Sequence, residues 1–250
     1  GDDASFADIL DALARMARVP SEAVAFLFER SEVLTRLGQQ EDAVAALEAA
    51  HGLVRDDTRV LNELIQLYKT LELPQKLEAA LVAQASASRD TSEKVALFVE
   101  AAELAETSLS APDRSIEYYR QCVSLDPTYQ PALAAVGRLF ARAQRWQDIG
   151  RLYEIQLQTA QDDAERIPLL FKYAELLTDR LADEDKAIDQ LSRVLELSPG
   201  YVPALKMVSS LYARKQRWAD LIAMYEAELS GQDDRDQAIY LLEKIGSLYE

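Results

Sequence analysis

The chain has 250 residues, 49% hydrophobic and 28% charged, enough apolar side chain for a sizeable core and too much for a disordered polypeptide. Its formal net charge of −16 argues against a nucleic-acid or anionic-membrane surface, because phosphate binding needs a basic face that releases counterions; a basic or mixed-charge partner fits better. The one cysteine, Cys122, rules out an intramolecular disulfide and a multi-cysteine zinc site and suits a reducing, cytoplasmic setting, and no apolar run approaches the roughly 20 residues of a membrane span.

Ala and Leu dominate the apolar residues, Gly and Pro number eight each, and no β-branched run alternates like a strand, so helix is expected nearly everywhere. In chain order, Phe6, Asp8, Ile9 and Leu13 predict a lone helix within 5–18. Leu27, Ser31 and Leu34, then Ala43, Leu47 and Ala50 across a break at Gly38, predict a first helical hairpin. Leu61, Leu64, Ile65 and Tyr68 with Leu77 and Leu81 make a second, and Phe98, Ala102 and Ala105 with Tyr119 and Cys122 a third. Leu133, Val136, Gly137 and Phe140 lead to Trp146 and Tyr153; Leu170, Tyr173, Ala174 and Leu177 to Ala187 and Leu191; Leu205, Val208, Ser209 and Tyr212 to Trp218 and Tyr225. Leu242, Ile245, Gly246 and Tyr249 predict a last helix within 236–250.

Punctuation supports these breaks. Pro20, Pro74, Pro112 and Pro168 fall near predicted helix starts, where a missing N–H does no harm, and the acidic clusters Asp56–Asp57, Asp162–Asp163 and Asp233–Asp234 read as N-caps at the positive ends of helix dipoles. The pattern repeats: Tyr129, Pro131, Leu139, Trp146, Asp148 and Tyr153 recur 72 residues later as Tyr201, Pro203, Leu211, Trp218, Asp220 and Tyr225. Ile116, Tyr119, Leu125 and Pro127 return as Ile188, Leu191, Leu197 and Pro199. About fourteen helices are expected, forming six full hairpins over 21–233 flanked by half-hairpins at 5–18 and 236–250, and half-hairpins at both ends predict a segment of a longer protein.

A hairpin of roughly 34 to 37 residues with apolar, small and aromatic residues at these positions resembles the tetratricopeptide repeat, and the resemblance spans essentially the whole chain. It implies an all-α, right-handed superhelical solenoid, a single domain over 1–250, in which small residues such as Gly137, Ala174 and Gly246 let helices approach and Trp146 and Trp218 wedge neighbouring hairpins apart. The sequence departs from the pattern at Arg30, which occupies an apolar slot, and in the third and fifth hairpins, whose turns carry an extra residue.

No residue constellation points to catalysis, a metal or a cofactor. His51, the one histidine, takes a position where other hairpins have Val123 and Leu195 and reads as packed or half-buried; Cys122 reads as inert core, with nothing basic to lower its pKa. Asp183–Glu184–Asp185 and Asp233–Asp234–Asp236 are acid-dense but lack the glycine and terminal glutamate of a calcium loop.

In the family resembled, the first helices line a concave groove where ligands lie. Here that face carries Asn62, Gln66 and Lys69 on the second hairpin, Arg138 and Arg142 on the fourth, and Lys206, Ser210 and Arg214 on the sixth. Between them come Glu32, Glu103 and Glu106, and Glu175 and Asp179, with Phe28, Val99 and Phe171 as apolar spots. Alternating charge stripes imply a protein-interaction scaffold for a peptide of mixed charge with one or two apolar anchors, or else stripes that neutralise one another as internal salt bridges. The alternatives are a regulatory or structural arm of a larger multidomain protein and a self-associating assembly module.

Overall fold

The structure, a computed structural model, describes residues 2–230 and 235–249; the expected cap at Asp233–Asp234 lies outside the described residues. Fourteen α-helices follow one another among them, with no strand: α1 Asp2–Met16, α2 Pro20–Arg36, α3 Gln40–Leu53, α4 Thr58–Thr70, α5 Pro74–Ala87, α6 Thr91–Thr107, α7 Pro112–Leu125, α8 Gln130–Arg142, α9 Trp146–Thr159, α10 Asp163–Leu176, α11 Glu184–Leu197, α12 Val202–Arg214, α13 Trp218–Ser230 and α14 Arg235–Tyr249. A π-helical turn, Leu177–Leu181, extends α10.

The chain divides into two compact units, 1–139 and 140–250, the boundary falling inside α8. In the first unit α1 to α7 pack each on the next in chain order, and in the second α9 to α14 do the same. Each unit therefore buries its apolar stripes between sequence neighbours, as stacked hairpins must. Leu47, Leu61, Leu64 and Leu81 are completely or almost completely buried in the first unit, and Leu170, Leu177, Leu191 and Leu211 in the second; each contributes about 2 kcal/mol of transfer free energy. Ala43, Ala50, Ala102, Ala105, Ala174 and Ala187 are fully buried, the small side chains that let one helix lie close on another.

Helix starts follow the local chemistry. Asp57, Asp90, Asp162 and Asp183 each accept backbone N–H groups in the first turn of α4, α6, α10 and α11. Pro20, Pro74 and Pro112 are the first residues of α2, α5 and α7. Pro168 corrects its expectation: it lies inside α10, which begins earlier because Asp162 accepts from Glu165 N at 2.9 Å and the Glu165 carboxylate accepts from Gln161 N at 3.0 Å.

The turns within hairpins share a device that composition conceals. Among the described residues, left-handed backbone occurs at Gly38, Glu72, Ser110, Gln144, Ala182 and Gln216, one per hairpin, at steps of 34, 38, 34, 38 and 34 residues. At four of these turns the next N–H reaches back five residues, as in Leu73 N to Tyr68 O and Arg217 N to Tyr212 O, both 2.9 Å. In the third and fifth hairpins it reaches back six, from Ala111 N to Ala105 O at 2.8 Å and from Asp183 N to Leu177 O at 2.9 Å. The extra residue is taken up by widening the end of the first helix, which in the fifth hairpin is the π-helical turn. First helices alternate between 13 residues (α4, α8, α12) and about one turn more, as in α2 and α6 with 17, α2 being long although its own turn is of the five-residue kind.

Two packing expectations fail. A Cβ at Gly246 would meet nothing within 4 Å, since no helix of the described residues lies against that face of α14; a glycine that is closely approached is Gly150, whose Cβ would lie 3.3 Å from the Tyr173 ring. Trp218 is 45% exposed and does not wedge hairpins apart, while Trp146 is half-buried beneath the Arg180 guanidinium at 4.8 Å.

Candidate functional site

The face of the first helices is best defined in the first unit, where α4, α6 and α8 bring Lys69, Glu100, Glu103, Glu106 and Arg138 together. They flank the stripe of each helix that buries Leu61, Leu64, Ala102, Ala105 and Val136. Arg138 grips Glu106 with two parallel hydrogen bonds, Nη1 to Oε1 at 2.6 Å and Nη2 to Oε2 at 2.8 Å, and Lys69 Nζ lies 2.6 Å from Glu100 Oε1. The acidic helix α6 is thus tied to basic side chains on both flanking first helices. Glu100 was not among the residues expected here; it lies one turn before Glu103 on the same face.

Below these pairs is a shallow cleft of about 540 Å³ lined by Leu77, Glu100, Glu103, Leu104, Glu106, Thr107, Tyr119 and Arg138. A second, of about 420 Å³, shares Leu77 and Leu104 and adds Tyr68, Lys69, Glu72, Leu73, Pro74 and Ser108. Burial, with the nearby Glu103 and Glu106 carboxylates, pushes the Tyr119 phenol up to about 12, so its hydroxyl stays protonated at neutral pH.

The remaining predicted residues are dispersed. Asn62 is exposed, but its Oδ1 accepts from the buried Gln84 Nε2 at 2.6 Å, so it serves the α4–α5 packing. Gln66 and Glu32 are exposed, Val99 is half-buried, and Phe28 is half-buried with the Arg59 guanidinium 5.9 Å above its ring. In the second unit Phe171 packs edge-on against Tyr201 at 5.5 Å, and Glu175, Asp179, Lys206 and Ser210 are exposed, as is Arg142. Arg214 turns away from these acids and pairs with Glu184 of α11 at 3.0 Å.

The residues weighed for chemistry are accounted for structurally. Cys122 is fully buried, donates to Val95 O at 3.6 Å, and has its thiol pushed up to about 12 by burial. His51 is half-buried. The Asp183–Glu184–Asp185 cluster is spent on capping α11 and on ion pairs to Arg214 and, at 2.6 Å, to Lys215. Sequence reasoning missed a recurring pair of arginines: Arg145 stacks on Phe140 at 4.7 Å and bonds Asp148 at 2.8 Å, and Arg217 repeats this on Tyr212 at 5.0 Å and Asp220 at 2.7 Å. The available signal was that both arginines precede the recurrent tryptophans by one residue. Among the described residues no helix is long and apolar enough to cross a membrane.

The family model described as "Tetratricopeptide repeat" matches residues 100–129. No curated protein matches the chain. Solved structures similar to it include the P58(IPK) TPR domain, at 18% identity over 90% of this chain with a TM-score of 0.36; the chain spans 65% of that chain's length. A tetratricopeptide repeat protein from Parabacteroides merdae is 16% identical over 89% of this chain and 85% of that one, with a TM-score of 0.36. The TPR2AB domain of yeast Sti1, solved in complex with pHSP90, is 15% identical over 90% and 96% of the two chains, with a TM-score of 0.33. The matched residues 100–129 cover the end of α6, its widened turn and α7, one example of the hairpin that recurs through the described residues at steps of 34 and 38, so this hairpin matches the tetratricopeptide-repeat model and the chain shares the fold of tetratricopeptide-repeat structures.

Proposed function

We propose that the chain is a non-catalytic protein-binding scaffold and that its first helices form the face that receives a partner, as an extended or helical peptide with apolar anchors and charge of both signs. The observation that carries this reading is the pair of linked clefts on α4 to α7, apolar at the base and rimmed by fixed ion pairs, because a rigid shaped surface with prearranged charge binds without costly reordering. The buried thiol of Cys122 and the structural use of the acidic clusters support a role by shape and charge.

Photo-crosslinkers placed singly at Gln66, Glu103 and Lys206 on the first helices, and at Gln121 on the exposed side of α7, test it. Partner adducts concentrated at the first three positions are expected; adducts from Gln121 alone would reject the reading.

A second reading, self-association, draws on exposed apolar stripes: Phe6, Ile9, Leu13 and Met16 on α1 are 40%, 54%, 40% and 78% exposed, and Ile239, Leu242 and Tyr249 on α14 are 45%, 55% and 71% exposed. Sedimentation at several concentrations decides it. A molar mass that stays monomeric throughout, with or without Leu13→Glu, discards that reading.

A further inference from the structure

We infer that the cleft over Leu77, Leu104 and Tyr119 holds a basic side chain of the partner, a Lys or Arg whose aliphatic stem lies on the two leucines and whose cationic head meets Glu103. This rests on the scaffold reading and names the chemistry of its occupant.

The rim of the cleft decides the sign of the ligand. Both rim cations are already engaged, Arg138 by a bidentate grip on Glu106 and Lys69 by Glu100, so an incoming carboxylate would have to break one of these pairs to find a positive charge. The lining of the cleft carries the carboxylates of Glu100, Glu103 and Glu106 and the guanidinium of Arg138. Glu103 is the exposed member, and among the described residues no ion pair or hydrogen bond engages its carboxylate. An anion is therefore repelled where a cation is received without displacing anything.

The floor decides the shape. Leu77 is 8% exposed and Leu104 half-buried, and Tyr119 presents a phenol that is neutral at physiological pH beside Glu103. An apolar floor below a single charge suits a long methylene stem with a charged tip, the combination that Lys and Arg carry and that a purely aliphatic or acidic residue lacks. The adjoining cleft, which continues across Leu77 and Leu104 to Leu73 and Pro74, accommodates an aliphatic neighbour in the same peptide. The recognised element is thus a basic residue flanked by an aliphatic one.

The test is a positional-scanning peptide array probed with the full chain, followed by fluorescence anisotropy of the best peptide against wild type, Glu103→Gln, Glu103→Lys and, as a control, Glu117→Gln on the exposed side of α7. The expected result is enrichment of Lys or Arg beside an aliphatic residue, binding weakened about tenfold by Glu103→Gln and lost with Glu103→Lys, and a change of no more than about twofold with Glu117→Gln. Selection of acidic or uncharged peptides, or equal affinity for wild type and Glu103→Gln, overturns the inference. If such peptides still lose binding on substitution of Gln66 or Lys206, the scaffold reading survives without it. An array on which nothing binds sinks both.

Discussion

Two inter-hairpin contacts 72 residues apart solve the same packing problem with opposite side chains. Where α5 meets α6 and α7, the position on the second helix is Glu78, 3% exposed, and the residue 72 places before Tyr173 is the small, fully buried Ala101; the Glu78 carboxylate accepts from Arg114 Nη1 at 2.5 Å. In the equivalent place on α9, α10 and α11 stands Gly150, facing Tyr173, and Lys186 takes the position of Arg114 and turns to Asp183 at 3.4 Å. Volume has moved across the contact from one helix to the other, and a buried charge has been exchanged for a phenol that donates to Glu154 Oε1 at 2.8 Å. The repeat conserves the space between hairpins but not the chemistry that fills it, which is why apolar periodicity identifies the fold without identifying any single contact.

Removing the filling residue of the second contact should have the largest effect. Tyr173→Ala leaves a void beside a glycine that cannot fill it, and a loss of about 3 to 5 kcal/mol in urea unfolding is expected. The milder Tyr173→Phe carries a signature in pH. Burial and the Glu154 bond raise the Tyr173 phenol from its ordinary value near 10 to about 12, so the native state holds this proton more tightly than the unfolded chain. The stability from this proton is fully present below pH ~10 and is lost as pH rises toward about 12. The melting temperature of wild type should therefore fall more steeply than that of Tyr173→Phe between those limits, and parallel curves would show that the phenol is not held as described.

The first contact should break more gently. Arg114→Ala strands the Glu78 carboxylate inside the stack, but Arg114 is itself half exposed and water reaches part of the pair, so the expected cost is about 2 kcal/mol. Glu78→Gln in the Arg114→Ala background removes the stranded charge and should recover part of that loss. Equal stability of the single and double variants would mean that Glu78 is not effectively buried. Gly150→Ala sharpens the contrast at about 1 kcal/mol: the gain in helix propensity is opposed by the 3.3 Å approach to Tyr173, so the substitution should stabilise the Tyr173→Ala variant and fail to stabilise wild type.

Much of this was legible in the sequence because it depends on local periodicity. Fourteen helices among the described residues, the caps at Asp57 and Asp162, and the burial of Cys122 and half-burial of His51 follow from spacing and from neighbours within a turn. Pro168 misled because the capping pair of Asp162 and Glu165 starts α10 ahead of it, and Gly246 because a small side chain signals close approach only when a helix lies opposite. The charged face was legible residue by residue but its pairing was not. The bidentate Arg138–Glu106 contact spans 32 positions, and the cleft floor draws Leu77, Leu104 and Tyr119 from three helices whose side-chain heights no repeat pattern specifies.

The smallest effect concerns the turns, where the two classes of hairpin differ by the residues added to the first helix. Of the six left-handed positions only Gly38 has the residue that adopts this backbone without a steric cost; Ala182, at φ 53°, has a Cβ and no polar side chain to bond its own backbone in compensation. Ala182→Gly should therefore raise stability, by at most about 1 kcal/mol, because relief of the Cβ clash is partly offset by the greater freedom of glycine in the unfolded chain. Gly38→Ala should lower stability by a similar amount, even though a Cβ there meets no neighbouring atom, so the loss would report backbone conformation alone. The wide turn of the fifth hairpin adds a further condition. If the π-helical turn itself holds Ala182 in place through the Asp183 N to Leu177 O bond, the glycine substitution leaves the turn intact and amide exchange at Asp183 stays slow; rapid exchange in Ala182→Gly would instead mean that the alanine, by restricting the alternatives, was what kept the widened turn closed.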